Sequence, residues 1–272
     1  MPKVLPILFL TLFLSCQSQP TSKFINAEGK TIQERFNTPE GFIREDDNTT
    51  SYDDFLRGFS LKPNGAKVYT NSGNLKQPDN VYEAVLDIDI GTKDLQQCAD
   101  AVMRLRAEYL FANKLYDKIH FNFTNGKKAE FIKYAEGFRF NLKTNSWNKT
   151  AAKDYSKNSF RAYMDLVFNY AGSLSLSREL KTVDIKDIKV GDVFIKGGSP
   201  GHAVTVVDVA INPKTKEKLF MIAQSYMPAQ NIHILKNFNS VNMSPWYSVN
   251  FGEYLKTPEW TFDKGQLMRF KD

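Results

Sequence analysis

The chain has 272 residues, 42% of them hydrophobic and 24% charged, with 21 Phe and 12 Tyr, which is enough apolar mass for one large domain or two small ones and excludes a disordered chain. The net charge of +6 comes from scattered lysines such as Lys127, Lys128, Lys214, Lys216 and Lys218 with no interleaved aromatic residues, a pattern that argues against a nucleic-acid partner. No internal repeat is visible, and no long apolar run follows the first fifteen residues.

The chain begins with Lys3, an apolar run from Val4 to Leu14, a small Ser15 and then Cys16. That run is too short to span a bilayer, and its small-residue end marks a cleavage site. It resembles the bacterial lipobox, with Phe13 where Leu is usual. The resemblance implies that residues 1–15 are a signal peptide and that the Cys16 thiol is acylated at the mature N-terminus. An ordinary secretory signal with a chance cysteine is the alternative. Residues 16–50 are polar, with few periodic apolar positions, and read as a tether. Residues 51–272 read as a single domain.

Residues 82–90 alternate and are rich in β-branched side chains, which predicts a strand ending at Gly91. Residues 95–115 carry the clearest helical stripe, through Ala99, Val102, Leu105, Arg106, Tyr109 and Leu110, with Asp94 as N-cap. A short strand is predicted over 119–123, and helices over 128–136 and 159–171. The second of these places Phe160, Tyr163, Met164, Val167 and Phe168 on one face. A further helical turn covers 175–180. From Val190 onward the period changes: 190–195, 202–209, 218–224, 232–235 and 266–270 read as strands, and 212–217 has hairpin turn chemistry. Helices followed by an antiparallel meander predict an α+β domain.

With Cys16 assigned to the lipid, Cys98 has no intramolecular partner. In an oxidising compartment such a thiol is either reactive or a small buried hydrophobe. Its place in the first turn of a helix favours the thiolate, so a pKa below the free value of about 8.5 is expected. His202 opens a strand after the turn Gly197-Gly-Ser-Pro-Gly201, and Gln224 ends the next strand as a polar residue in an apolar setting.

The segment Gly-Asp-Val-Phe-Ile, a glycine turn, then Gly-His-Ala-Val-Thr-Val-Val resembles the histidine hairpin of CHAP amidases and other papain-like peptidoglycan hydrolases. Their nucleophile is also a cysteine opening a helix, often after Gln, as in Gln97-Cys98 here. Their third residue follows on the next strand, where this chain has Gln224 in place of the commoner Asn, Asp or Glu. The resemblance implies a papain-like domain in which Cys98 attacks an amide carbonyl, His202 is the base and Gln224 orients the imidazole. Gln96 or Gln97, with the Cys98 backbone N–H, would stabilise the oxyanion.

Longer motifs are similar to an uncharacterised lipoprotein family common in Bacteroidetes, the domain of unknown function DUF4846. They are Gln-Cys-Ala-Asp-Ala-Val-Met-Arg-Leu-Arg-Ala-Glu-Tyr-Leu, Gly-Gly-Ser-Pro-Gly-His-Ala-Val, Ala-Gln-Ser-Tyr-Met-Pro-Ala-Gln and Thr257-Pro-Glu-Trp-Thr-Phe262. This resemblance implies location and fold kinship without an activity.

The expected protein is therefore a lipoprotein held to the outer membrane, facing the periplasm, whose domain is a cysteine amidase or peptidase acting on peptidoglycan or peptide amide bonds. No cofactor, metal or nucleic acid is expected. The alternative function is a non-catalytic envelope-binding protein, in which Trp147, Trp246, Trp260 and Tyr226 would stack on sugars. A metal site from His202, Asp208 and His233 lacks a compact ligand spacing, and the glycine turn lacks the Lys and helix of a phosphate loop.

Overall fold

Strand β9 (His202–Ile211) lies at the centre of the fold. Its residues run His-Ala-Val-Thr-Val-Val-Asp-Val-Ala-Ile, and all but Ile211 are buried. A continuous run of small and β-branched residues is what a strand covered on both faces requires. The computed structural model describes residues 23–44 and 51–271. Cys16 and the signal segment lie outside them.

On one side β9 pairs with β10 (Lys218–Gln224), and on the other with β8 (Val193–Lys196). The first turn is fixed by the Asn212 side chain, which accepts from the N–H groups of Lys214 and Thr215. The second is the glycine turn. Gly198 there has φ +114°, and a Cβ on Gly201 would lie 2.4 Å from the Gly198 carbonyl oxygen, so both positions require glycine. The sheet extends beyond β10 to β11 (His233–Leu235) and β2 (Tyr82–Val85). Beyond β8 it extends to β15 (Leu267–Arg269) and β7 (Lys181–Thr182). β1 (Ile43–Arg44) joins β9 and β12 (Tyr247–Ser248) joins β10, giving nine antiparallel strands among the described residues. Three separate hairpins are β3 (His120–Asn122) with β4 (Lys128–Glu130), β5 (Phe138–Asn141) with β6 (Ser146–Lys149), and β13 (Tyr254–Lys256) with β14 (Thr261–Asp263).

Six helices are described: α1 (Ile32–Arg35), α2 (Tyr52–Arg57), α3 (Cys98–Ala112), α4 (Phe131–Ala135), α5 (Lys157–Tyr170) and α6 (Ser173–Glu179). Helix α3 packs on β9 and feeds two apolar cores. Ala101 and Leu105 join the core built on Val206, Phe220 and Trp246, while Val102, Met103 and Leu110 join a second core with Phe121, Phe131 and α5. α5 buries the five residues expected of its stripe, and its first turn is capped by Ser156, whose hydroxyl accepts from the Ser159 N–H at 3.2 Å. The architecture is α+β with a mainly antiparallel sheet, as the change of period predicts.

Four expectations are corrected. The stretch read as a tether belongs to the fold from residue 23: Phe24, Ile32 and Phe36 are buried in the main core, and Ile43 and Arg44 add a strand to β9. Residues 128–130 are a strand, because they pair with β3, and the helix starts only at Phe131. Strand β2 stops at Val85, after which Leu86 bridges to Leu61. Helix α3 begins at Cys98, not residue 95. Its cap is Gln97, whose N–H donates to Asp100 Oδ2 at 3.0 Å, while Asp94 Oδ1 is taken by the N–H of Ala229 at 2.6 Å. No helix among the described residues is long and apolar enough to cross a membrane.

Candidate functional site

The start of α3 is held against the end of β10. The Ser225 hydroxyl lies 3.0 Å from the carbonyl oxygen of Gln96 and 2.8 Å from that of Gln230. Asp94 reaches the same loop through Ala229 and also accepts from Gln97 Nε2 at 3.0 Å. These bonds fix the start of α3, where Cys98 sits, against the end of β10, and the backbone N–H of Ala203, the residue after His202, is among the groups that act on the Cys98 thiol.

His202 is almost fully buried. Its ring packs on Tyr226, Trp260 and Phe262, with centroids 5.0, 5.3 and 5.8 Å away. Its Nε2 lies 2.8 Å from Gln224 Oε1. Behind Gln224 a further layer appears: Gln224 Nε2 donates to Glu259 Oε2 at 2.7 Å, and Lys76 Nζ donates to Glu259 Oε1 at 2.6 Å. Gln224 is paired across the sheet with His233, whose Nε2 is 3.4 Å from Gln224 Nε2 and whose Nδ1 donates to the Asn231 carbonyl at 2.8 Å. Cys98, His202 and Gln224 thus occupy one region, on a helix N-terminus and two neighbouring strands.

The electrostatics differ from the expected thiolate. Burial pushes the Cys98 thiol up, and the neighbouring Asp100 adds to this against the opposing N–H groups of Ala99 and Ala203. Burial also drives His202 down to about 4, against the Gln224 hydrogen bond, with Lys76 nearby adding to the depression. His233 is lowered to about 3 by its burial. The resting pair is a neutral thiol and a neutral imidazole, not an ion pair. A helix N-terminus does not outweigh desolvation of this thiol.

Of the two candidate oxyanion residues, Gln97 is partly exposed and its amide is engaged by Asp94. Gln96 is fully buried, its Oε1 accepts from Arg104 Nη1 at 2.9 Å, and its Nε2 has no hydrogen-bond partner. Trp246 is fully buried and Trp147 lies at the second core, so neither is a sugar platform at this site, while Tyr226 and Trp260 remain partly exposed beside His202. Asp208 is not brought to the histidines. It lies six residues along β9 from His202, about 20 Å, with its oxygens taken by Arg44 and Arg57 at 2.7 and 2.9 Å.

Sequence reasoning assigned no role to Lys76, Glu259 or Arg104. Glu259 lies inside the conspicuous Thr257-Pro-Glu-Trp260 motif, a signal that pointed to the place without giving the partner. The Thr257 side chain organises that turn by bonding both the N–H and the carbonyl of Trp260.

No curated protein sequence and no solved structure is significantly similar to this chain. A family model described as a domain of unknown function (4846) matches residues 32–269, which include Cys98, His202, Gln224 and Glu259, and the chain belongs to that family.

Proposed function

We propose that this protein is a cysteine amidase or peptidase of the bacterial cell envelope, anchored by a lipid on Cys16 at the outer membrane and acting on amide bonds of peptidoglycan or peptides. The observation that carries the reading is the bond between His202 Nε2 and Gln224 Oε1, with Cys98 at the start of the helix that packs on the strand carrying His202. It leaves the imidazole Nδ1 for the chemistry, in a layout similar to the papain-like hydrolases.

In this mechanism Cys98 Sγ attacks the amide carbonyl as its proton passes to His202 Nδ1. The Cys98 backbone N–H and the unpartnered Gln96 Nε2 receive the developing oxyanion. Collapse breaks the C–N bond, and the leaving amine takes the proton from Nδ1. Water then hydrolyses the thioester, with Nδ1 as base, and restores the thiol. Because both resting groups are neutral, attack and proton transfer are coupled. The test is release of peptide fragments from purified peptidoglycan by the wild type, Cys98→Ala, His202→Ala and the double variant. Each single loss should be at least about 100-fold, and the double should add little, because nucleophile and base act as a unit. Binding of the polymer without release would replace this reading by the envelope-binding one, with Tyr226 and Trp260 as contacts. Cys16→Ala should release the protein from the membrane fraction.

A further inference from the structure

We infer that Glu259 and His233, with Lys76 behind them, are positioning residues that hold the Gln224 amide in one orientation and thereby fix the tautomer of His202. The inference deepens the proposed function and rests on it only for the kinetic readout.

An amide side chain offers an oxygen on one side and an NH2 on the other, and its neighbours decide which way it faces. Lys76 Nζ has only hydrogens to give, and it sits 2.6 Å from Glu259 Oε1. Glu259, as the partner of an ammonium group, is a carboxylate and accepts. Its other oxygen, 2.7 Å from the Gln224 amide, therefore faces the NH2 group. His233 makes the same demand independently. Its Nδ1 faces the carbonyl oxygen of Asn231 and must carry the hydrogen, so its Nε2 holds a lone pair and is satisfied only by an N–H of Gln224. A flipped amide would point oxygen at a carboxylate and at a lone pair. Gln224 Oε1 is thus left facing His202 Nε2 at 2.8 Å, and the shared proton must sit on the imidazole. The consequence is an Nε2–H tautomer with the lone pair on Nδ1, the nitrogen that a thiol on α3 needs as base. The relay runs from Lys76 through Glu259 and Gln224 to His202; Lys76, Gln224 and His202 are buried and the Glu259 side chain is only 10% exposed, so both Glu259 oxygens keep their protein partners in preference to water. Glutamine can occupy a place where a carboxylate is commoner because its ambiguity has been removed from behind.

The protein contains three histidines, so its tautomers are readable by long-range 1H–15N spectra of protein labelled at histidine, with His120→Gln removing the third set of signals. At pH 7 the wild type should show His202 protonated at Nε2 and His233 protonated at Nδ1. In Glu259→Gln, Lys76 takes the oxygen of the new amide and leaves its NH2 facing Gln224, which opposes the demand of His233, and the Nδ1–H population of His202 should rise at least tenfold. Turnover should fall about tenfold through kcat with little change in KM, and Glu259→Asp should restore part of both. A wild type with His202 protonated at Nδ1 overturns the inference without any variant. So does a folded Glu259→Gln protein whose His202 signals are unmoved. The expected tautomer in a protein that hydrolyses no amide would end the enzymatic reading and leave the relay standing.

Discussion

Cys98 heads the helix that packs on the strand headed by His202, and its thiol is partly withdrawn from water there. Two opposed effects meet there. The helix N-terminus and the N–H groups favour a thiolate, while burial and Asp100 oppose it, and burial is the larger.

Alkylation by iodoacetamide should therefore rise with pH through a midpoint above the free-thiol value of about 8.5. Because His202 is neutral at rest, His202→Ala should leave that midpoint nearly unchanged while removing turnover. A wild-type midpoint well below that of a free thiol, moving up in His202→Ala, would show instead a preformed thiolate–imidazolium pair.

The strand period and the turn chemistry of residues 212–217 make His202 and Gln224 legible, because a hairpin of known register puts the start of one strand near the end of the next. Cys98 is legible from its place at a helix start, although Asp94 imitates a cap and shifts the expected boundary by three residues. The rear layer is different. Lys76 and Glu259 are 183 residues apart in irregular loops, and no periodicity links them; only closure of the fold brings them together. Burial is likewise a property of the assembled fold, which is why helix position alone misjudges the Cys98 thiol. Residues 23–44 look like a tether because their apolar residues follow no helical or strand period, yet Phe24, Ile32 and Phe36 are each buried in the core.

Asp100 gives a pH dependence of known sign. Burial raises its carboxyl from 3.8 to about 8, against the Gln97 hydrogen bond. The folded protein thus holds this proton more tightly than the unfolded chain does. Its contribution to stability is complete below about pH 4 and is lost as the pH rises to about 8. Asp100→Asn, which keeps an oxygen for the Gln97 N–H, should gain on the wild type across that window by up to about 1.4 kcal/mol per pH unit. Urea unfolding of both proteins at pH 5 and pH 8 measures this. A stability difference that is flat with pH would mean that Asp100 is already ionised in the fold.

Asp208 makes the strongest claim about the N-terminal segment. Its carboxylate is fully buried on β9 and receives Arg44 from β1 and Arg57 from α2. These two ion pairs connect the segment before residue 45 and the first helix after it to the same strand. Replacing one partner of a buried pair costs more than the pair itself contributes, because the other charge stays behind without compensation. Asp208→Asn should therefore destabilise by about 3 kcal/mol or more. Arg44→Met should cost less, since that side chain is 23% exposed and its removal leaves Asp208 still paired with Arg57. Limited proteolysis should show cleavage advancing into residues 23–44 in Asp208→Asn first, while the His202 spectrum, about 20 Å away along β9, stays that of the wild type. If Asp208→Asn lost under 1 kcal/mol with residues 23–44 still protected, the apolar anchors Phe24, Ile32 and Phe36 would be sufficient to hold the segment, and the ion pairs would set only its register.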